Sequence, residues 1–286
     1  MIFKNKLKTA IITGSTRGVG KELAKMFLRN DYNVVVTGRN INDAIKVADE
    51  LNSNKYTVAY ARGYYLNYNN IHKSSKLLND LENKEIVPNF LINNAGALNT
   101  KNLNDISLKT LDIMTHANML GPLIMSKYCI NIIKNNNQHG GILFNTPPYN
   151  IDDKTTYLLP YMQTKLAQTT LMKSLANSNL NNNALICGFW TNYPLSTDAI
   201  INRNIGTLDN CMHPSILSDT IEELIFNTTN PYQYNSKVII DEDFLTEKNI
   251  SLNKYKMGKN VKKLEDLFMF YLKNKYSLKK NMYIKK

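Results

Sequence analysis

Tyr161 and Lys165 lie four residues apart in YMQTK, so on a helix both side chains share one face. A free phenol titrates at about 10, too high for ready proton exchange at neutral pH. An ammonium held beside it, or any other close positive charge, stabilises the phenolate and lowers that value. The pair is therefore a candidate general acid/base. A Tyr-x-x-x-Lys spacing alone is near chance, and its weight comes from what precedes it.

The segment TGSTRGVG, residues 13–20, follows the apolar run KTAIIT and opens a helical pattern. Gly14 allows a tight turn, Gly18 lets backbone N–H groups approach a pyrophosphate, and Gly20 permits close packing; Ser15, Thr16, Arg17 and Val19 complete the loop. An NAD site wants an Asp or Glu at the end of the next strand, for the ribose 2′-hydroxyl. VVVTGRN offers Thr37, Gly38 and Arg39 instead, with no acid before Asp43. Arg17 and Arg39 either bracket a 2′-phosphate, which a planar guanidinium binds in bidentate fashion, or stand as ordinary solvated charges. With the acid missing as well, the expected cofactor is NADP(H).

These residues need elements to hold them. Strand-like runs recur at 8–13, 33–37, 56–61 (YTVAYA), 90–93, 141–145, 184–187 and 237–241, and helical patterns such as KELAKMFLRN and AIKVADEL fill the intervals. Several runs are apolar without alternation, as strands covered on both faces are. The expected fold class is α/β: a doubly wound, seven-stranded, mostly parallel sheet with helices on both faces. No linker interrupts it, so one domain is expected over residues 1–255. A basic C-terminal helix and tail is expected over 256–286, with Val261, Leu264, Phe268 and Tyr271 on one face.

The 286 residues, 43% hydrophobic, suffice for a core of that size. The basic start MIFKNKLK meets TGS after only AII, so neither a secretory signal nor a transmembrane segment is read there. Cys129, Cys187 and Cys211 are far apart, as are His72, His116, His139 and His213; no metal site is expected, and a reduced, cytoplasmic setting fits best. The net charge of +12 is concentrated in residues 254–286, where eleven lysines face Glu265 and Asp266. Nucleic acid is therefore not an expected partner of the body of the chain.

LINNAG (91–96) closes the fourth run and Asn118 lies in HANMLGP. The order TGxxxGxG, NNAG, Asn, YxxxK at these separations is highly specific. It resembles the short-chain dehydrogenase/reductase family over roughly residues 7–245. The resemblance implies a Rossmann fold, a small-molecule substrate and a homodimer or homotetramer built on the helices near 111–134 and 159–177. It implies that Tyr161 is the general acid/base and that Lys165 lowers its pKa and holds the nicotinamide ribose. By the same resemblance Asn118 anchors a water of the proton relay. Asn94, Ala95 and Gly96 line the adenosine side, and Leu195 and Thr197 take the nicotinamide carboxamide.

The family also has a serine that polarises the substrate, and here the chain departs from it. LFNTPPYN (143–150) supplies Thr146, Pro147 and Pro148. Proline has neither hydroxyl nor N–H, so the substitutes to weigh are the hydroxyls of Thr146, Tyr149 and Tyr157. A hydroxysteroid dehydrogenase-like subgroup of the family carries the same Pro-Pro pair; TPPYNI, GFWTNYPLSTDAI, LSDTIEELIFN and KVIIDEDFLTEKNI resemble it. Its sterol-carrier-like C-terminal domain has no counterpart in residues 256–286, and the chain stops at YIKK without a peroxisomal SKL-type ending. The family's adenine-contacting Asp is replaced by Tyr64 or Tyr65. Two functional classes follow: an NADP(H)-dependent oxidoreductase acting on a carbonyl or alcohol of an apolar, lipid-like molecule, or a cofactor-binding protein with little turnover.

Overall fold

The structure, a computed structural model, describes residues 3, 7–53, 57–135, 139–149, 158–178 and 184–264. The apolar runs become β1 (Thr9–Ile12), β2 (Asn33–Gly38), β3 (Ala61–Tyr65), β4 (Phe90–Asn93), β5 (Gly141–Asn145), β6 (Leu185–Trp190) and β7 (Val238–Ile240). They form one sheet in the order β3-β2-β1-β4-β5-β6-β7, and every pairing is parallel. The chain winds outward from β1 to β3 and restarts at β4 on the other side of β1. That reversal leaves a crevice beyond the carboxyl ends of β1 and β4, where such sheets bind ligands.

The helices are α1 (Gly18–Arg29), α2 (Ile41–Asn52), α3 (Ser75–Glu82), α4 (Leu108–Thr115), α5 (Gly121–Asn135), α6 (Leu159–Ser178), α7 (Asp198–Ile201), α8 (Ser215–Phe226) and α9 (Asp241–Glu247). Alternate strand residues feed two cores. Ala10, Ile12, Val34 and Val36 pack with Leu23 and Phe27 of α1, Val47 of α2 and Leu224 of α8. Ile11, Val35 and Leu91 pack with Leu77 of α3, Met125 of α5 and Met172 of α6. The sheet is thus covered on both faces, which is why its strands read as unbroken apolar runs.

Two expectations are corrected. The third strand begins where YTVAYA ends, because pairing with β2 starts at Val34↔Ala61 and runs through the less apolar ARGYY; Val58 and Tyr60 are exposed ahead of it. Gly63 in that strand meets the α2 backbone, where a Cβ would lie 2.5 Å from the Ile45 nitrogen. The C-terminal helix expected within 256–286 has not begun over 259–263 and first appears at Leu264, the last described residue. Before it, Lys259 N–H donates to Asp209 Oδ1, and those of Asn260 and Lys262 donate to the carbonyls of Asp209 and Asn210, not to a preceding turn. Phe268 and Tyr271 lie outside the described residues.

Candidate active site

The glycine loop sits at the crevice. Gly14 and Gly18 have φ of 65° and 53°, a region that favours glycine. A Cβ on Gly20 would lie 2.3 Å from the Gly14 carbonyl oxygen, so α1 seats directly on the loop. The N-terminus of α1 has no side-chain cap and no acid in its first turn, leaving its N–H groups for an anion. Ser15 is buried and donates to the Ile12 carbonyl at 2.8 Å while accepting from Thr37 N–H at 2.9 Å; it ties the loop to β2. The Thr16 methyl covers Gly38. Arg39 stands exposed beyond β2, and Arg17, also exposed, pairs with Asp198 at 3.1 Å. An uncapped helix end and glycines at positive φ fit the pyrophosphate of a dinucleotide, and the end of β2 carries no carboxylate.

The end of β4 is knitted to β1. Thr13 Oγ1 accepts from the N–H groups of Asn94 and Ala95, both at 3.0 Å. Gly96 backs onto Asn118, whose Oδ1 would lie 3.1 Å from a Cβ there. Asn118 rides on a π turn, His116–Leu120, between α4 and α5. Such turns often mark functional positions. The buried side chain accepts from Ala97 N–H at 2.8 Å and donates to the Ala97 carbonyl and to Thr164 Oγ1, both at 2.9 Å. Both amide protons are therefore committed to clamping the loop after β4 onto α6.

A cavity of about 470 Å³ opens beside this loop, and Val19, Asn94, Gly96, Tyr161, Lys165, Leu195 and Thr197 all reach its wall. Lys165, buried, donates from Nζ to the Asn145 carbonyl and to Gln168 Oε1 (3.2 Å), and Nζ lies 5.5 Å from the Trp190 ring centroid. Burial pushes this amine down to about 7. Burial also pushes the half-buried Tyr161 phenol up. Without a cofactor, then, desolvation dominates and Lys165 alone does not lower Tyr161. The Lys165 value has a sign that can be tested. Between about 7 and about 10.4 the unfolded chain holds the proton and the folded chain does not, so stability rises with pH across that window. The thermal midpoint of the cofactor-free protein should climb from pH 7 to pH 9, with Lys165 contributing up to about 3 kcal/mol. Lys165→Met should flatten the climb; parallel profiles for both proteins would contradict it.

Pro147 and Pro148 line the cavity, but Thr146 does not. Its hydroxyl is buried against α6, donating to the Lys165 carbonyl at 2.9 Å and lying 2.7 Å from Thr169 Oγ1. Thr146 as a polarising donor is corrected by this geometry: the side chain leaves β5 on the α6 side. The Tyr149 hydroxyl is 2.7 Å from Thr170 Oγ1, on the outer surface, and Tyr157 lies outside the described residues. Thr146→Val should therefore lower stability by about 1–2 kcal/mol through lost buried hydrogen bonds. Turnover should stay within a few-fold of native, without the drop of about 10²–10³ that follows loss of a polarising donor. Denaturant melts paired with rates check both parts.

Several site residues escaped the sequence. Asn145 and Gln168 hold the Lys165 amine; only the three-residue spacing of Gln168 from Lys165 hinted at it. Trp190 ends β6 at the cavity, and Asn192 and Tyr193 continue its wall. Tyr64 is buried with its hydroxyl on Asp80 at 2.9 Å, which leaves Tyr65, paired with Gly38, as the residue nearer the cofactor side.

The short chain dehydrogenase family model matches residues 8–192. Mouse (Mus musculus) hydroxysteroid dehydrogenase-like protein 2 is 23% identical over 268 residues, covering 91% of this chain and 54% of that protein. The chain thus spans little more than half the length of that relative. A putative dehydrogenase from Xanthomonas campestris superposes with a TM-score of 0.78 at 20% identity, covering 89% of this chain and 94% of that one. A putative NAD(P)-dependent gluconate 5-dehydrogenase from Beutenbergia cavernae, described with bound NADP, superposes with a TM-score of 0.70 at 16% identity, covering 82% and 94%.

Proposed function

Because the chain belongs to the short-chain dehydrogenase family, we propose that it is an NADP(H)-dependent oxidoreductase interconverting a carbonyl and an alcohol on an apolar, lipid-like small molecule. The observation that carries this reading is the meeting of Tyr161 and Lys165 with Val19 of the glycine loop and Thr197 at one largely apolar cavity. The cofactor supplies or accepts the hydride. The N–H groups around Gly14 to Gly20 hold its pyrophosphate, and Arg17 and Arg39 its 2′-phosphate. Asn94, Ala95 and Gly96 bound the adenosine side, and Leu195 and Thr197 the carboxamide. Lys165 takes the nicotinamide ribose, and Tyr161 gives or takes the proton at the substrate oxygen. Asn118 positions the Ala97 loop, and its backbone carbonyl is the group left to anchor a relay water. The NADP reported with a structural neighbour supports the cofactor assignment.

A screen of carbonyl and alcohol compounds with each nicotinamide cofactor, followed by absorbance, tests the reading. No turnover across apolar ketones and alcohols, with NADPH still bound, would favour the second reading of a cofactor-binding protein. The turned-away Thr146 hydroxyl is the observation on that side. We also assign a homodimer or homotetramer and a cytoplasmic setting. Leu120, at the end of the π turn, and Ile124, Tyr128 and Ile132 of α5 remain partly uncovered at four-residue spacing. Among the described residues no helix is long and apolar enough to cross a membrane. Light scattering at micromolar concentration should give at least twice the chain mass; a monomer would overturn the assembly.

A further inference from the structure

After α9 the chain turns back across the site. Tyr255, buried, donates its hydroxyl to Asp219 Oδ2 at 2.8 Å, and its carbonyl accepts from His213 N–H. Lys256 bridges Met212, and Met257 N–H donates to the Cys211 carbonyl at 3.0 Å. At Gly258 a Cβ would lie 2.4 Å from the Asp209 Cα, so the two backbones touch. Asp209 then receives Lys259 N–H at 3.0 Å and Asn260 Nδ2 at 2.6 Å. The path ends where Leu264 N–H donates to the Asn192 carbonyl at 2.7 Å and Lys263 Nζ meets Glu242 Oε2 at 2.8 Å. The same Glu242 carboxylate accepts from Asn192 Nδ2 at 3.0 Å and from the Tyr193 hydroxyl at 2.8 Å. Glu242 thus gathers the loop after β6 and the C-terminal segment at one point, and both Lys263 and Leu264 line the cavity.

We propose that residues 256–264 are a strap forming the end wall of the substrate cavity, and that Leu264, seated by the Lys263–Glu242 latch, selects for the apolar length of the substrate. This deepens the oxidoreductase reading and rests on it for the identity of the cavity. The placement sets the length scale. Trp190 marks the Lys165 end of the wall and Asn192, two residues on, carries the strap. Two residues of extended chain span at most about 7 Å. The proposal requires that a four-carbon ketone held at Tyr161 stay short of Leu264 and that a ten-carbon one reach it. Leu264 acts by contact, and Lys263 and Glu242 act as positioning residues.

The test uses the full chain and a series from butan-2-one to decan-2-one. Trp190 is the chain's only tryptophan and lines the cavity, so a saturable change in its emission reports filling without any turnover. Leu264→Ala should weaken decan-2-one by about tenfold, the range for lost apolar contact in a pocket, and leave butan-2-one within about twofold. Lys263→Glu should do the same by repelling Glu242, whereas Lys263→Arg, which keeps the ion pair and leaves the Glu242 acceptors in place, should bind decan-2-one as the native protein does. NADPH affinity by calorimetry should be unchanged in every variant. Equal losses at all chain lengths, an equal loss of NADPH affinity, as large a loss in Lys263→Arg as in Lys263→Glu, or no saturable binding of decan-2-one by the native protein would each overturn the proposal. Length-dependent binding without reduction by NADPH upholds the strap and defeats the oxidoreductase reading. Reduction without dependence on Leu264 does the reverse.

Discussion

Tyr161→Phe is expected to lower turnover by about 10²–10⁴-fold while NADPH affinity stays within a few-fold. Phenylalanine keeps the ring at the cavity wall and removes only the oxygen, so the cofactor's contacts are untouched. The loss should be near complete because the cavity holds few replacements. Among the described residues that line it there is no histidine, aspartate or glutamate. The one other phenol, Tyr193, donates its hydroxyl to Glu242 at 2.8 Å, and burial followed by that bond pushes its pKa up. Lys165 titrates near neutrality in the free protein, but its amine is held by the Asn145 carbonyl and Gln168. Tyr161 itself is raised by burial, so the phenolate needs positive charge beside it: a protonated Lys165 and the oxidised nicotinamide. Steady-state rates with calorimetry for NADPH measure both halves. A mutant that keeps most of the native rate would assign the proton to another group.

The residues of this site were legible where local chemistry decides them. Gly14 and Gly18 advertise the loop because their positive φ values exclude most other residues, and β1, β2 and β4 read as strands because both faces are buried. Tyr161 and Lys165 were legible from helical spacing only because the glycine loop, NNAG and Asn118 precede them in order. What stayed hidden depends on partners distant in sequence. The start of β3 is set by its register on β2, not by its own apolar letters. Which way Thr146 points is settled by Thr169 and the Lys165 carbonyl on α6. The strap KMGKNVKKL reads in sequence as the start of a helical face at Val261 and Leu264. It is fixed by backbone bonds to residues 209–213 and by Asp209, which no sequence pattern reveals.

NADPH should bind at least about tenfold tighter than NADH, and Arg39→Asp should reverse the order. Hydrogen bonds to a charged group contribute about 1.5–3 kcal/mol, which is about ten- to a hundredfold in affinity. Among the described residues, the end of β2 carries no carboxylate for the alternative cofactor. Thr37 is buried, its Oγ1 donating to the Ile12 carbonyl and accepting from Gly14 N–H, and Gly38 has no side chain. The two arginines are not equivalent. Arg17 is already paired with Asp198, an exposed contact contributing no more than about 1 kcal/mol, whereas Arg39 makes no ion pair among the described residues. Arg39 should therefore carry the larger share of the preference, and Arg17→Ala should weaken NADPH less than Arg39→Ala does. Asp198→Asn should tighten NADPH slightly by releasing Arg17. The aspartate placed at 39 offers an acceptor to the ribose 2′-hydroxyl and repels a 2′-phosphate, so both terms change sign together. Titration calorimetry of the two reduced cofactors against each variant measures the order directly. Equal affinities in the native protein would remove the 2′-phosphate from the role given to Arg39.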